Sequence, residues 1–252
     1  MMTRLLYMLS LLAPVLLTAC VSEQFPTRKV GKGTLMLSSI NRVQAKGTTI
    51  ATRAVDNDLA VEILNEDGTL YGGMSYAAGT EVPPKFILPV GNYFLHAYSE
   101  NQNTWSSENG GLGAPVYDVR QPFTIESDWI TYLDVSVPML NYGVTYSVPT
   151  NFDAWFPTAD FTVTVASRSL QPTTEQVVYF DPDDGDFAFS LHLVNSDGEE
   201  YTTETHTFAA PAAGHLYDVH YSFVSDDDPS RLRITITYED FEEVIDTEII
   251  LD

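Results

Sequence analysis

The chain has 252 residues, 44% of them hydrophobic, and a formal net charge of −23 from 12 basic and 35 acidic side chains. A charge so negative excludes attraction to nucleic acid or to anionic lipid headgroups as the working principle of the body, because both would be repelled. The single cysteine excludes an intramolecular disulfide, so the body must be held by burial, and a chain of this length has the apolar surface to do so.

At the start, Arg4 supplies a positive residue ahead of the apolar run Leu5 to Leu17, which Pro14 interrupts. The run is shorter than the roughly 20 residues that a membrane-spanning helix needs, so it predicts a secretory signal over residues 1–19. Leu17-Thr18-Ala19-Cys20 closes it, with small residues before the cysteine. That tetrapeptide resembles a bacterial lipobox. The resemblance implies cleavage before Cys20 and acylation of Cys20, and three acyl chains at about 0.8 kcal/mol per buried methylene would anchor the protein permanently. Localisation is then expected at the outer membrane, on the cell surface.

Residues 20–32 read as a polar, mildly basic tether. Charge divides sharply beyond it. From Cys20 to Arg53 there are six basic residues and one acidic, Glu23, whereas after Arg53 there are five basic and 34 acidic residues, a net of −29. The acidic body is expected to stand off a membrane surface, and its acidity is a solubility feature of an exposed protein.

Past the tether the apolar period is two. Leu59-Val61-Ile63, Tyr93-Leu95-Ala97, Leu133-Val135-Val137, Tyr142-Val144-Tyr146-Val148, Phe161-Val163-Val165, Phe187-Phe189-Leu191-Leu193 and Leu232-Ile234-Ile236-Tyr238 each alternate with their neighbours, as half-buried strands do. Between them lie turn clusters such as Asn65-Glu66-Asp67-Gly68, Pro182-Asp183-Asp184-Gly185 and Asn195-Ser196-Asp197-Gly198, where Asn and Asp bond back to the backbone and Gly takes positive φ. Only Asn151 to Phe156 suggests a turn of helix. Many short strands with regular turns predict an all-β fold of two tandem antiparallel β-sandwich domains, over 33–139 and 140–252.

The halves resemble each other. Val61 to Tyr71 aligns with Leu191 to Tyr201 through a shared strand, Asn-x-Asp-Gly turn and tyrosine. Pro89, Gly91, Tyr93, His96 and Tyr98 likewise align with Pro211, Gly214, Tyr217, His220 and Tyr221. A repeat of domain architecture is the reading favoured by this common order of features; two hairpins obeying one turn chemistry is the other.

Gly33-Thr34-Leu35, Val61 to Gly68, Leu88-Pro89-Val90-Gly91-Asn92-Tyr93, Ala97-Tyr98 and Ala213-Gly214 before Tyr217 together resemble a family of two-domain Bacteroidales lipoproteins known as a domain of unknown function. The outline is also similar to fimbrillins, the subunits and anchors of Bacteroidales pili. That likeness implies tandem β-sandwiches and, in polymerising members, proteolysis after a basic residue beyond the first strand, with another subunit's strand filling the groove. Here Leu35 to Ile40 would be the first strand, and Arg53 and Ala54 the processing site. An anchor or tip would stay acylated and uncut. Surface export in this group is expected to need an acidic cluster after the cysteine; Val21 to Gln24 holds only Glu23.

No Gly-x-Ser-x-Gly elbow, phosphate loop or His-Glu-x-x-His spacing is present, and no enzyme activity or cofactor is expected. Asp181, Asp183, Asp184 and Asp186 are weak calcium candidates, since hard cations take several oxygens, but glycine falls one place early for an EF-hand and no Glu closes the loop. A solvated turn is the plainer reading, as it is for Asp226 to Asp228. His96, His192 and His220 fall on predicted strands and suit surface or core-edge roles better than metal binding. Trp129 opens a strand and is expected in the core; Trp105, in a polar loop, is the better candidate for surface contact. The expected partners are the membrane, through Cys20, and other β-sandwich subunits by strand addition. The alternative is a glycan-binding surface lipoprotein of a nutrient-uptake system, which clustered exposed aromatics on one face would favour.

Overall fold

The computed structural model describes residues 31–43, 58–100, 110–225, 228–238 and 241–245. In chain order the first seven strands are β1 (Lys32–Val43), β2 (Ala60–Asn65), β3 (Leu70–Tyr76), β4 (Lys85–Pro89), β5 (Gly91–Tyr98), β6 (Asp118–Ile125) and β7 (Ile130–Pro138). They form a three-stranded sheet, β4-β1-β7, and a four-stranded sheet, β3-β2-β5-β6. The alternation expected from the sequence is visible in β5, where Tyr93, Leu95 and Ala97 point inward, and in β7, where Leu133, Val135 and Val137 do. These side chains meet Leu35, Leu37 and Ile40 of β1, Phe86 and Leu88 of β4 and Val61 and Ile63 of β2 in one core. Burial of each large aliphatic chain there contributes about 1.5–3 kcal/mol.

β1 keeps Leu35, Leu37 and Ile40 inward although 37 and 40 differ in parity. A register shift between Leu37 and Ser39 absorbs one extra residue, as a β-bulge does, and returns Ile40 to the core face.

The remainder consists of β8 (Tyr142–Ser147), a single helical turn α1 (Phe152–Trp155), β9 (Thr158–Val165), β10 (Arg168–Leu170), β11 (Val178–Phe180), β12 (Phe187–Val194), β13 (Glu200–Thr202), β14 (His206–Phe208), β15 (Leu216–Ser225), β16 (Asp228–Tyr238) and β17 (Phe241–Ile245). One sheet runs β11-β8-β15-β16-β17; the other runs β10-β9-β12-β13, with β14 also on β12. Their inner faces close over a second core rich in aromatic rings. Phe187 lies at its centre, with ring centroids 5.1 Å from Phe208, 5.5 Å from Tyr217, 6.0 Å from Phe189 and 6.1 Å from Tyr142.

The fold class is all-β, with two departures in detail. First, the sheets are mixed: β1 pairs parallel with β7, and β8 pairs parallel with β15. Parallel neighbours need a long crossover, here through the opposite sheet, so local turn signals cannot reveal them. Second, the repeat is real in its pairing but falls in a different register. β1 pairs with β4 and β7 as β8 pairs with β11 and β15, and the hairpin β2–β3 joined to β5 matches the hairpin β9–β10 joined to β12. β2 therefore corresponds to β9, not to β12, and β5 corresponds to β12, not to β15. The two Asn-x-Asp-Gly turns sit on non-equivalent hairpins and owe their likeness to turn chemistry.

Between the cores, buried Asn141 accepts a hydrogen bond from the Val116 amide (2.9 Å) and donates one to the Ala114 carbonyl (2.8 Å). Arg168 lies over the Phe180 ring at 4.9 Å and donates to the carbonyls of Tyr179 and Gly111, and burial lowers its pKa from the ordinary guanidinium value. Burial also raises the Tyr179 hydroxyl to about 12.

Candidate functional site

Cys20, Arg53, Ala54 and Trp105 lie outside the described residues, as do Asp226 and Asp227. Asp181 begins a short turn over Pro182–Asp184, and its carboxylate accepts from the Asp183 amide at 2.9 Å. Asp186 accepts from the Ala210 amide at 2.9 Å. Two of the four calcium candidates are thus committed to the backbone, and among the described residues no group of three His, Cys, Asp or Glu side chains is placed to hold a metal ion.

His96, His192 and His220 each sit on an outer face with polar neighbours, whereas His206 of β14 lies against the Phe189 ring at 5.7 Å. His96 stands 3.0 Å from Asp118 and 3.4 Å from Glu62, stacked on Tyr98 at 4.3 Å. Burial, then the Glu62 carboxylate, raises the pKa of the Tyr98 hydroxyl. His192 meets Thr202 and His220 meets Ser147.

Two concavities are described. One of 290 Å³ lies at the end of β1, bounded by Arg42, Asp58, Leu59, Glu100 and Tyr117, with Arg42 paired to Asp58 at 2.8 Å. The other, of 520 Å³, lies between the cores and is lined by Leu112, Pro115, Glu175, Gln176, Val177 and Tyr179. The polar groups of the first are engaged with their neighbours: Asp58 with Arg42, the Glu100 carboxylate with the Ala78 amide at 2.9 Å, and the Ser99 hydroxyl oxygen with the Tyr117 amide at 3.0 Å.

Two features of the β1 sheet bear on function, the first shared with β8 in the second half. β1 is its central strand: it runs antiparallel to β4 from Lys32↔Pro89 to Met36↔Lys85, and parallel to β7 from Thr34↔Ile130 to Val43↔Pro138. Leu35 and Ile40 are wholly buried beneath it, so this strand both completes a sheet and closes a core.

The second feature, on the outer face, is its own. Ile87, Thr34 and Ile130 form a row across the three strands, with Lys85, Met36 and Tyr132 forming the next row. Ile87 (59% exposed), Ile130 (52%), Tyr132 (67%) and Trp129 (69%) are the four most exposed large hydrophobic side chains among the described residues. Trp129 is therefore not in the core. It lies in the turn between β6 of one sheet and β7 of the other. The sequence carries a signal for this face: Ile130 and Tyr132 are apolar at the parity opposite to Leu133, Val135 and Val137.

Residues 31–252 match the family described as Domain of unknown function (DUF4493). The chain belongs to that family. No curated protein matches it. Among solved structures, the chain is similar to a candidate cell-adhesion protein from Bacteroides eggerthii, with 11% identity over 84% of this chain and 96% of that one and a TM-score of 0.44. It is similar to a fimbrial assembly protein from Parabacteroides distasonis, with 11% identity, 86% and 98% coverage and a TM-score of 0.44. It is also similar to the fimbrial anchor protein Mfa2 from Porphyromonas gingivalis, with 11% identity, 83% and 98% coverage and a TM-score of 0.35.

Proposed function

We propose that this protein is an outer-membrane lipoprotein, acylated on Cys20 and displayed at the cell surface, whose role is structural or adhesive and not catalytic. It serves as a fimbrial subunit, tip or anchor, built from tandem domains over 33–139 and 140–252. The observation that carries the reading is the position of β1. A strand laddered on both sides and closing a core is one whose loss opens a groove between β4 and β7, floored by apolar side chains and edged by unpaired backbone groups. A strand from another subunit satisfies both needs at once. Cleavage between Arg53 and Ala54 would separate β1 from β2 and release most of the basic segment.

The N-terminus of the protein recovered from its native cells, read by intact mass and peptide mapping, tests this. An acylated Cys20 with Arg53 uncut makes it a permanent anchor or tip. A chain beginning at Ala54 makes it a polymerising subunit. An unmodified chain with both sites untouched overturns the reading.

The glycan-binding alternative has one observation in its favour, the exposed rings of Tyr132 on β7 and Trp129 in the turn that precedes it. Binding of purified protein to a glycan array, lost in Trp129→Ala, would move that alternative to the front.

A further inference from the structure

Of the other three sheets, two turn polar faces outward and the β2 sheet a mixed one, in which an apolar row of Leu70, Leu64, Phe94 and Pro122 lies beside the polar groups. The β9 sheet shows Thr162, Thr164, Ser169, His192 and Thr202, the β2 sheet Glu62, Ser75, His96 and Asp118, and the β8 sheet Thr145, Ser147, Asp218 and His220, many joined by side-chain hydrogen bonds. Against these the β1 sheet face stands out, with Ile87, Ile130, Tyr132 and half-buried Met36 side by side and Trp129 at its end.

Its charge is also unlike the rest. Lys32 and Lys85 are exposed at this face, and its one carboxylate, Asp134, accepts from the Ser39 hydroxyl at 2.9 Å. Glu126 and Asp128 in the adjoining turn offset the lysines, so this end is near neutrality in a body that carries −29 beyond Arg53.

Its position is the third observation. The chain enters the fold here. The Gly31 carbonyl accepts from the Val90 amide (3.1 Å), the Lys32 carbonyl from the Asp128 amide (2.9 Å), and the Thr34 amide donates to the Trp129 carbonyl (2.9 Å). Ten residues separate Cys20 from Gly31, and that length spans at most about 35 Å.

We propose that the outer face of the β1 sheet, with Trp129 at its edge, rests on the bilayer to which the chain is anchored, fixing the orientation of the body. The inference rests on the acylation of Cys20 proposed above. Trp and Tyr settle at the membrane–water boundary because their rings are amphipathic, and lysine stems lie along apolar surface with the ammonium in the headgroup layer. The expectation that the whole acidic body stands off the membrane is thereby narrowed to the other faces. A glycan is a poorer occupant, because a sugar site needs several convergent hydrogen-bonding groups beside its aromatic platform, and this face intersperses its rings with isoleucines.

Cys20 is the only thiol, so the chain from Cys20 onward can be coupled through it to a maleimide lipid in phosphatidylethanolamine–phosphatidylcholine vesicles. Trp105→Phe with Trp155→Phe leaves Trp129 as the sole tryptophan; Trp105→Phe with Trp129→Phe leaves Trp155. On vesicles carrying lipids brominated near the headgroup, the Trp129 form is expected to lose most of its emission and shift to the blue, and the Trp155 form to stay unchanged. Adding Ile130→Ser and Tyr132→Ser should restore the Trp129 emission. Three results overturn the proposal: unchanged Trp129 emission on coupling, shielding that grows with protein density without lipid quenching (a second copy), and shielding by soluble glycan alone (a sugar site). Because the coupling is chemical, the face is tested whether or not cells acylate Cys20. The mass of the native protein tests acylation separately.

Discussion

In the first half, among the described residues, the sheet holding the central strand β1 stops at β7. In the second half the equivalent sheet continues past β15 into β16 and β17, so the strand that corresponds to β7 is covered by the chain's own continuation. The cores differ as well. The first is mainly aliphatic, and the second is built on stacked and tilted rings around Phe187. One pairing scheme is thus finished in two ways, with a wide aromatic sandwich on one side and, on the other, a narrow sandwich whose three-stranded sheet keeps an apolar outer face. The narrower one is where a partner has the most to gain.

If the two cores are separate, damage to each should be felt separately. Phe187→Ala empties the centre of the ring cluster and is expected to destabilise by about 3–5 kcal/mol; Leu35→Ala, which removes a wholly buried chain of β1, by about 2–5 kcal/mol. Denaturant unfolding followed by tryptophan fluorescence and by circular dichroism should give two transitions, each substitution moving one of them, and the double variant should show the sum of the single effects. A single transition moved by both substitutions would make the two cores one cooperative unit and break the comparison.

A smaller effect tests the equivalence of β1 and β8. Each carries a glycine at its second position, Gly33 and Gly143. A Cβ on Gly33 would lie 2.2 Å from the Glu126 carbonyl oxygen, which is backbone. On Gly143 it would lie 2.5 Å from Leu216 Cδ2 and 2.7 Å from Val177 Cγ1, which can rotate away. Both alanine variants are overpacked and should cost about 1–3 kcal/mol, Gly33→Ala toward the upper end. The ratio of the two midpoint shifts in urea is the measurement; a larger cost at Gly143 would contradict the backbone argument.

Much of this architecture is written in the sequence, and what is missing has physical causes. The long alternating strands β5, β7, β9, β12 and β16 are legible because one face of each is buried and the period of two survives. The three-residue strands β10, β11, β13 and β14 are too short to show a period. β3 contains Gly72 and Gly73, both at positive φ, which read as a loop. The parallel pairs depend on contacts far apart in the chain, so no local pattern carries them. The repeat is visible in its order of features and misread in its register, because Asn-x-Asp-Gly is selected by the turn and not by the place of the hairpin. Of the candidate site, the strand β1 is legible from Leu35 to Ile40. The outer face is missed because Trp129 at a strand start, in step with Leu133 and Val135, looks like core, whereas it stands exposed in the turn between two sheets.

The two Asn-x-Asp-Gly turns offer the finest comparison, since each carries a carboxylate depressed by its hydrogen bonds, but at a different position. In the first, the Asp67 carboxylate accepts from the Thr69 amide (2.9 Å) and hydroxyl (2.6 Å), and these bonds lower its pKa below the ordinary 3.8. In the second, the Asn195 side-chain oxygen accepts from the Asp197 (3.0 Å) and Glu199 (2.8 Å) amides, while the Glu199 carboxylate accepts from the Tyr201 hydroxyl (2.7 Å) and the Asn195 side-chain amide (2.7 Å), and its pKa falls below 4.5. A carboxylate depressed on folding stabilises the fold at pH values above its unfolded pKa, and that contribution is lost as pH falls through the lower, folded value. The Asp67 contribution should therefore be complete above about pH 4 and the Glu199 contribution above about pH 5, and both should disappear in stronger acid. Carboxyl chemical shifts followed by NMR titration are the direct reading. Thr69→Ala should return Asp67 toward its ordinary value and leave Glu199 alone, and Tyr201→Phe should raise Glu199 and leave Asp67 alone. If either substitution moved both acids, the turns would be coupled through the body, and their likeness would be more than local.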